Sequence, residues 1–258
     1  MTDARRARWP SRLWVVRHGE SAGNVARDAA DAAGLSRIDI AVRDVDVPLS
    51  GRGVEQSRAL GRWFAARPAR ERPTVVLASP HVRAQHTAQL VRDAGGFAPG
   101  VRDIASDERL REKEFGILDR LTRAGIEEFH PEQAELRRLH GKFYFRPPGG
   151  ESWCDVVLRL RSALDTISLH YPGERVLVVC HQVVVLCLRY LVECMTEAEI
   201  LAVDRAGDVA NCSVTEYEFD PAAGTHGRLV LRAYNFVAPL TDAGVPVTAE
   251  PDATAVGR

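Results

Sequence analysis

Near the amino terminus, a short apolar run ends in the stretch Val15-Val16-Arg17-His18-Gly19-Glu20-Ser21. The apolar run predicts a buried strand, so we expect His18 to lie on the loop that leaves it. An imidazole is nucleophilic near neutral pH, and the Arg17 guanidinium can hold two phosphoryl oxygens. Gly19 lets backbone amides come close to an anion. Alone, Arg-His-Gly would also fit an ordinary loop, so a phosphoryl-transfer site depends on matching residues elsewhere.

The composition is that of a globular protein with almost no net charge. Of 258 residues, 45% are hydrophobic and 27% charged, and the net charge is -1. We therefore expect no nucleic-acid partner and no membrane partner, and no apolar run approaches the roughly 20 residues of a membrane helix. The five cysteines are odd in number and lack metal-binding spacing. They favour free thiols in a cytoplasmic protein over disulfides or a zinc site.

Predicted strands and helices alternate along the chain. The strands are expected at residues 13–16, 74–79, 101–104, 175–180, 213–219 and 229–234, and the helices at about 50–66, 81–94, 124–140, 152–170 and 183–192. This alternation predicts a three-layer αβα sandwich with a mostly parallel sheet. We expect one domain over residues 12–240 with a helical lid insertion at about 117–148. A flexible segment, 1–11, precedes this domain, and a disordered tail, 241–258, follows it.

Polar residues follow three of the predicted strands. His18 follows the first strand, Arg83 lies in the first turn of the helix after the second, and His181 follows the most apolar strand. In such folds the ligand site lies at the carboxyl ends of the strands, so these side chains should converge. A charged His181 could stabilise a transferring phosphoryl group together with Arg17 and Arg83. Taken singly, Arg83 would be a solvated helix charge and His181 a turn residue.

A proton donor for the leaving oxygen is expected between these loops, in Leu110-Arg111-Glu112-Lys113-Glu114-Phe115-Gly116. Phosphoryl transfer from an alcohol needs such an acid. Glu112 and Glu114 are both candidates, and spacing alone does not separate them. Either could instead be a surface charge that pairs with a neighbouring Arg or Lys.

Six ordered motifs together resemble the histidine phosphatase superfamily, also called the phosphoglycerate mutase-like family. They are Arg17-His18-Gly19-Glu20-Ser21, Pro48-Leu49-Ser50-x-Arg52-Gly53, Ser79-Pro80-x-x-Arg83-Ala84, Leu110-x-Glu112-x-x-Phe115-Gly116, Gly149-Gly150-Glu151-Ser152 and Val178-Val179-Cys180-His181. The resemblance covers about residues 13–219. It implies a phosphohistidine at His18, a phosphate pocket of Arg17, Arg83 and His181, and no metal or other cofactor. It also implies that Asn24 is a loop contact to the phosphoryl group and that Glu112 is the acid.

One branch of the family is similar over two further segments. Arg138-x-x-x-Lys142 and Cys180-His181-Gln182 resemble the bisphosphatase half of the bifunctional fructose-2,6-bisphosphate enzymes. There the matching Arg, Lys and Gln contact the sugar phosphate. The resemblance therefore implies that Gln182 binds the substrate phosphate and that Arg138 and Lys142 form an outer substrate site. Arg123, which lies in the same predicted lid segment, is a weaker candidate for that site. Leu186 departs from the branch, which has an Arg there, and the outer residues could equally be solvated helix charges.

The expected activity is hydrolysis of a small phosphorylated metabolite, such as a sugar phosphate, through phosphorylated His18. A cofactor-dependent phosphoglycerate mutase is the alternative, although that branch carries Leu-Asn-Glu-Arg-His-Tyr-Gly where this chain has Leu-Arg-Glu-Lys-Glu-Phe-Gly. An inactive phospho-ligand binding module is disfavoured, because His18, His181 and Glu112 are all present. The chain could also form a homodimer.

Overall fold

A six-stranded sheet runs through the centre of the structure, a computed structural model that describes residues 8–249. Its spatial order is β3-β2-β4-β1-β5-β6. The strands are β1 (Arg12–Arg17), β2 (Val75–Ala78), β3 (Ala105–Ser106), β4 (Arg175–Cys180), β5 (Val214–Asp220) and β6 (Arg228–Phe236). The first four pair in parallel, whereas β5 and β6 are antiparallel. The predicted α/β class with a mostly parallel sheet is confirmed.

Helices cover both faces of this sheet. They are α1 (Ala22–Ala32), α2 (Gly51–Ala65), α3 (Val82–Asp93), α4 (Arg123–Phe129), α5 (Pro131–Tyr144), α6 (Trp153–His170), α7 (Gln182–Val192), α8 (Glu197–Ala206) and α9 (Ala238–Thr241). Alternate residues of β1 point to opposite faces. Leu13 and Val15 join a core with α6 and α7, whereas Trp14 and Val16 join a core with α2 and α3. Burial on both faces explains why β1 and β4 read as continuous apolar runs.

The central strands end at one edge of the sheet, as the parallel arrangement requires. Arg17 is paired with Cys180 at the ends of β1 and β4. One residue further, the His18 amide donates a hydrogen bond to the Cys180 carbonyl (2.9 Å), and the Ser79 amide donates one to Val179 (3.0 Å). The loops that carry His18, Ser79 and His181 therefore leave the sheet side by side.

Several elements differ from the sequence prediction. The short strand expected at residues 101–104 lies at Ala105–Ser106, and α1 and α8 were not predicted. The expected lid segment, 117–148, does contain two helices, α4 and α5. Within residues 8–249, no helix is both long and apolar enough to span a membrane.

Both chain ends contact the domain where the structure describes them. Trp9 packs against the core, although residues 1–11 were expected to be flexible; residues 1–7 of that segment lie outside the described residues. Residues 241–249 of the expected disordered tail are also held: the Gln56 side chain donates a hydrogen bond to Pro246 O (3.0 Å), and Thr248 donates one to Asn211 (3.0 Å). The expectation of disorder therefore does not hold for 241–249, and residues 250–258 lie outside the described residues.

Gly53 packs closely against the backbone of the loop that follows His18. A Cβ at Gly53 would overlap the Glu20 carbonyl oxygen, whereas a Cβ at Gly51, in the same helical turn, would meet no atom within 4 Å. We expect Gly53→Ala to lower the free energy of unfolding by roughly 1–3 kcal/mol, because backbone must move. Gly51→Ala, the control, should change it by less than about 1 kcal/mol, in the stabilising direction. Urea unfolding of both variants measures the difference, and equal effects would contradict the close fit.

Candidate active site

His18 lies buried on the loop after β1, and its hydrogen bonds fix its tautomer. The Nδ1 atom is 2.7 Å from the carbonyl oxygen of Gly19. Because a carbonyl only accepts, Nδ1 carries the proton, and the lone pair lies on Nε2. The Nε of Arg83 donates to this Nε2 over 3.2 Å. Burial, with the charges of Arg83 and Arg17, lowers the pKa of His18 well below its ordinary value. The imidazole is therefore neutral and nucleophilic at neutral pH.

The His18 loop is fastened by contacts from distant parts of the chain. The Asn211 side chain donates to His18 O (3.0 Å), and the Cys212 amide donates to Arg17 O (3.0 Å). On the other side, the Gly19 amide donates to the Thr87 hydroxyl on α3 (3.0 Å). These contacts hold the ring in place before any ligand binds, as catalysis by a positioned nucleophile requires.

Arg17 is oriented from behind by Gln182 and the chain before β5. Its Nη1 donates to Gln182 Oε1 (2.9 Å) and to Val209 O (2.5 Å), and Gln182 in turn donates to Asp208 (3.0 Å). We expected Gln182 to contact the substrate phosphate. The structure instead places it next to Arg17, outside the set of described residues that line the pocket.

Arg83 extends from the first turn of α3 to His18 and also binds Asp44, which sequence reasoning missed. Its Nη1 donates to Asp44 O (2.6 Å), and its Nη2 donates to the Asp44 carboxylate (3.0 Å). His81 Nε2 lies 3.1 Å from the same carboxylate. Partial burial alone would raise the pKa of Asp44, but the hydrogen bond from His81 and the Arg83 charge lower it well below its ordinary value. The Asp44 carboxylate therefore accepts a hydrogen bond from an Arg83 N–H group that a phosphoryl group would use.

His181 is fully buried beside His18, with ring centroids 5.1 Å apart. Its Nε2 is 2.7 Å from the Ser79 hydroxyl, and its Nδ1 is 4.0 Å from Glu112 Oε2. Burial and the charge of Arg83 lower the pKa of His181 well below its ordinary value. The ring is thus neutral at pH 7, contrary to the charged form that we expected. A neutral ring keeps one N–H donor. His181 is not among the described residues that line the pocket, so it would have to offer this donor from directly behind His18.

The structure separates the two candidate acids. Glu112 lines the pocket, whereas Glu114 is exposed and donates its backbone amide to Glu151 (3.1 Å). The loop between them is fixed to α6 by Arg159, which binds Glu151 (2.9 Å) and donates to the Glu112 carbonyl (3.2 Å). The ion pair of Arg159 and Glu151 therefore anchors the Glu112 backbone to α6, and the Glu112 carboxylate accepts a hydrogen bond from the Lys113 amide (2.8 Å). Of these two glutamates, Glu112 is the one placed to protonate a leaving group in the pocket.

Asn24 lines the pocket from the first turn of α1 rather than from a loop. Its Oδ1 accepts hydrogen bonds from the amide (3.0 Å) and hydroxyl (2.8 Å) of Ser21, which completes a capping box. Helix capping and pocket lining thus share one side chain.

The three outer-site candidates lie away from the pocket. Arg138 is exposed and binds Glu135, one helical turn away (2.6 Å), and Arg123 binds Glu127 (3.0 Å). Lys142 binds both carboxylate oxygens of Asp204 on α8 (2.8 Å each). None of the three is among the described residues that line the pocket, so the structure does not support an outer anion site there. Arg138 and Arg123 are therefore exposed charges on helices, and Lys142 forms an ion pair that connects α5 to α8.

The pocket itself is a cavity of about 130 Å³ in front of His18. Its lining residues are Arg17, His18, Ser21, Gly23, Asn24, Arg27, Ile38, Ile40, Val42, Asp44, Val47, Arg83, Glu112, Phe115, Asp119 and Arg120. One part is cationic and surrounds His18, and another is apolar. No group of three or more His, Cys, Asp or Glu side chains able to hold a metal ion occurs within residues 8–249.

The arrangement of a buried neutral His beside two arginines, a second His and a carboxylate matches a known family. The model of the histidine phosphatase superfamily (branch 1) matches residues 13–232. The chain belongs to the histidine phosphatase superfamily. Among curated relatives, "Probable phosphoglycerate mutase GpmB" of Serratia proteamaculans is 29% identical over 178 residues, covering 68% of this chain and 72% of that protein.

Solved structures of similar proteins share the fold. Bacillus stearothermophilus YhfR has a TM-score of 0.68 at 26% identity, covering 88% of this chain and 98% of that chain. A mycobacterial glucosyl-3-phosphoglycerate phosphatase has a TM-score of 0.65 at 25% identity, covering 88% and 99%. The relatives thus include a phosphatase and a protein named as a mutase.

The neutral histidines predict a specific pH dependence of stability. As the pH falls below 6.5, His18 and His181 are protonated in the unfolded chain, whereas in the folded protein their lowered pKa values delay protonation to lower pH. The unfolded state then binds more protons, so the free energy of unfolding falls as the pH falls, by up to about 1.4 kcal/mol per pH unit for each histidine.

Denaturant unfolding between pH 7.5 and 5 measures this slope. We expect His181→Gln to reduce the slope of the free energy of unfolding against pH by the contribution of about one proton. His140→Gln, an exposed control on α5, should leave the slope unchanged. Equal slopes for the wild type and His181→Gln would show that His181 is protonated in the folded protein.

Proposed function

We propose that this protein hydrolyses phosphomonoesters of small metabolites through a phosphohistidine at His18. The observation that carries the proposal is the tautomer of His18, whose Nε2 lone pair is directed to Arg83 at the cavity. A neutral nucleophile beside fixed cations is suited to attack on a phosphoryl group, because the cations stabilise the charge on its oxygens. The five free thiols in the structure support a reducing, cytoplasmic location, which is also part of the proposal.

In the first step, His18 Nε2 attacks phosphorus and the bond from phosphorus to the ester oxygen breaks. Arg17 and Arg83 bind the phosphoryl oxygens, and His181 donates a hydrogen bond. Glu112, protonated beforehand, gives its proton to the leaving oxygen, so the alcohol departs neutral. Arg83 has to transfer its Nη donors from Asp44 to the substrate and its Nε from His18 before attack.

In the second step, water attacks the phosphohistidine. Glu112, now a carboxylate, accepts a proton from the water, and the bond from nitrogen to phosphorus breaks. Inorganic phosphate leaves, and the lone pair returns to His18 Nε2. The net reaction is phosphomonoester plus water giving alcohol plus phosphate.

A mutase is the second candidate, because the curated relatives carry that name. A mutase returns the phosphoryl group to a second hydroxyl and needs cations for the carboxylate of phosphoglycerate. The proposed fructose-2,6-bisphosphatase-like specificity likewise needs a second anion site. Arg138 and Lys142 lie outside the pocket, and Leu186 is buried in the core. Two further arginines line the pocket, but Arg27 lies 3.5 Å from Asp31, and Arg120 donates to backbone carbonyls. These placements favour a simple monoester hydrolase.

The assay that separates the two functions uses 2-phosphoglycerate and 4-nitrophenyl phosphate, each with and without 2,3-bisphosphoglycerate. We expect release of inorganic phosphate from 4-nitrophenyl phosphate that does not depend on the bisphosphate. Conversion of 2-phosphoglycerate to 3-phosphoglycerate faster than phosphate release, and dependent on the bisphosphate, would identify a mutase. Inactivity in every arm would leave the binding module as the remaining reading.

Glu112→Gln should separate substrates by their leaving group. An aryl oxide leaves without much help from a proton, whereas an alkoxide needs one, so we expect kcat on ethyl phosphate to fall roughly 100- to 10,000-fold and kcat on 4-nitrophenyl phosphate far less. Glu114→Gln, two residues away and exposed, is the matched control and should leave the ratio unchanged. If Glu114→Gln shows the selective loss instead, Glu114 and not Glu112 is the general acid.

A further inference from the structure

Three apolar side chains stand at one wall of the pocket without belonging to a described core cluster. They are Ile38, Ile40 and Val42, which we call the apolar wall. They alternate with Asp39 and Ala41, which are exposed. The Ile40 amide donates a hydrogen bond to the Ile38 carbonyl (3.0 Å), so the chain turns at Asp39, and all three apolar side chains line the same pocket. Val42 is 46% exposed, so water and not protein covers much of it.

The wall is held in place by hydrogen bonds from the lid segment, although its backbone forms no strand. Arg120 donates its Nη1 to Ile40 O (3.0 Å) and its Nη2 to Val42 O (2.9 Å), and its own carbonyl accepts from the Ile38 amide (2.9 Å). Thr122 donates its hydroxyl to Leu35 O (2.6 Å). An exposed apolar surface that is fixed in this way is typical of a ligand-binding wall rather than a mobile loop.

Behind and beside the wall, further apolar groups continue the surface. Val47, which is buried, and Phe115, next to the acid loop, also line the pocket. Phe115 lies three residues after Glu112 and lines the same pocket, so an apolar ring stands near the acid that protonates the leaving group. The alcohol part of a substrate bound through His18 would therefore contact hydrocarbon.

The charged groups that line the pocket near the wall are engaged with other protein groups, and the Nε of Arg27 lies 3.5 Å from Asp31. The Arg120 guanidinium binds the two carbonyls described above and lies 3.7 Å from Asp119. Asp44 binds Arg83 and His81. Sugar hydroxyls or a second phosphate would have to compete for these groups, whereas an apolar chain would not.

We infer that the pocket selects phosphomonoesters whose alcohol part is an apolar chain or ring, packed against Ile38, Ile40 and Val42. The inference rests on the proposed function for the role of the pocket, and it replaces the sugar phosphate that the sequence suggested. It concerns binding, so it can be tested without turnover.

The experiment measures binding of ethyl-, butyl- and hexylphosphonate by calorimetry. These compounds share one phosphonate group and cannot be hydrolysed at a P–O ester bond. We expect the wild type to bind about two- to fourfold more tightly for each added methylene, once normalised to inorganic phosphate. Ile40→Ser should flatten this gradient markedly. Leu139→Ser, an apolar-to-polar change on the outer face of α5, where Leu139 is 61% exposed, should keep it.

A second arm compares kcat/KM for cyclohexylmethyl phosphate and glucose 6-phosphate, which have similar shapes but differ in hydroxyl groups. We expect the cyclohexylmethyl ester to be preferred at least about tenfold, since each hydroxyl placed on hydrocarbon without a partner is unfavourable.

The outcomes separate the inference from the proposed function. A flat phosphonate gradient, or a gradient that Ile40→Ser leaves intact, overturns the apolar-wall inference even if phosphomonoesters are hydrolysed. A steep gradient that Ile40→Ser abolishes, together with no hydrolysis of any ester, supports the inference and overturns the proposed function. Preference for glucose 6-phosphate over the cyclohexylmethyl ester counts against the inference.

Discussion

The hydrogen bond from the His18 amide to the Cys180 carbonyl continues the parallel pairing of β1 and β4 one residue beyond the strands. His18 and His181 are the residues that directly follow β1 and β4, so this pairing places their ring centroids 5.1 Å apart. A one-residue slip of either strand would turn its side chains to the opposite face. The apolar residues on both faces prevent such a slip, because Leu13 and Val15 pack on one side and Trp14 and Val16 on the other. Core packing therefore determines the geometry of the two histidines.

Electrostatics then determines what this pair can do. Two neutral histidines lie beside Arg17 and Arg83, so the two guanidinium groups supply the positive charge of the site, and the Asp44 carboxylate compensates part of it. A phosphoryl dianion provides more negative charge at the same donors than a single carboxylate does. Exchange of Asp44 for substrate on Arg83 would free His18 Nε2, since one guanidinium contacts both groups. Binding and exposure of the nucleophile are thus linked through Arg83.

Much of this site could be predicted from the sequence, because its main residues follow apolar strands or open a helix. Arg17, His18, Arg83 and His181 converge as the strand ends required. Asp44 carried no local signal, since its partner Arg83 is 39 residues away. The ion pair of Lys142 could not be predicted from the sequence, because its partner Asp204 lies 62 residues further along the chain. The helix α1 was missed because its apolar residues are alanines apart from Val25, and only Ala30 is buried. Disorder was expected over residues 241–249 because the tail is rich in Ala, Pro, Asp and Thr, and this composition gives no sign of the contacts to Gln56 and Asn211.

The central claim is that His18 acts through Nε2 because Gly19 O fixes the proton on Nδ1. The most direct measurement is the site of phosphorylation after rapid alkaline quench with radiolabelled 4-nitrophenyl phosphate, read by peptide mapping and by separating the two phosphohistidine isomers. The account predicts one labelled peptide, which contains His18, with the phosphate on Nε2. Phosphate on Nδ1, or label on another residue, would contradict it.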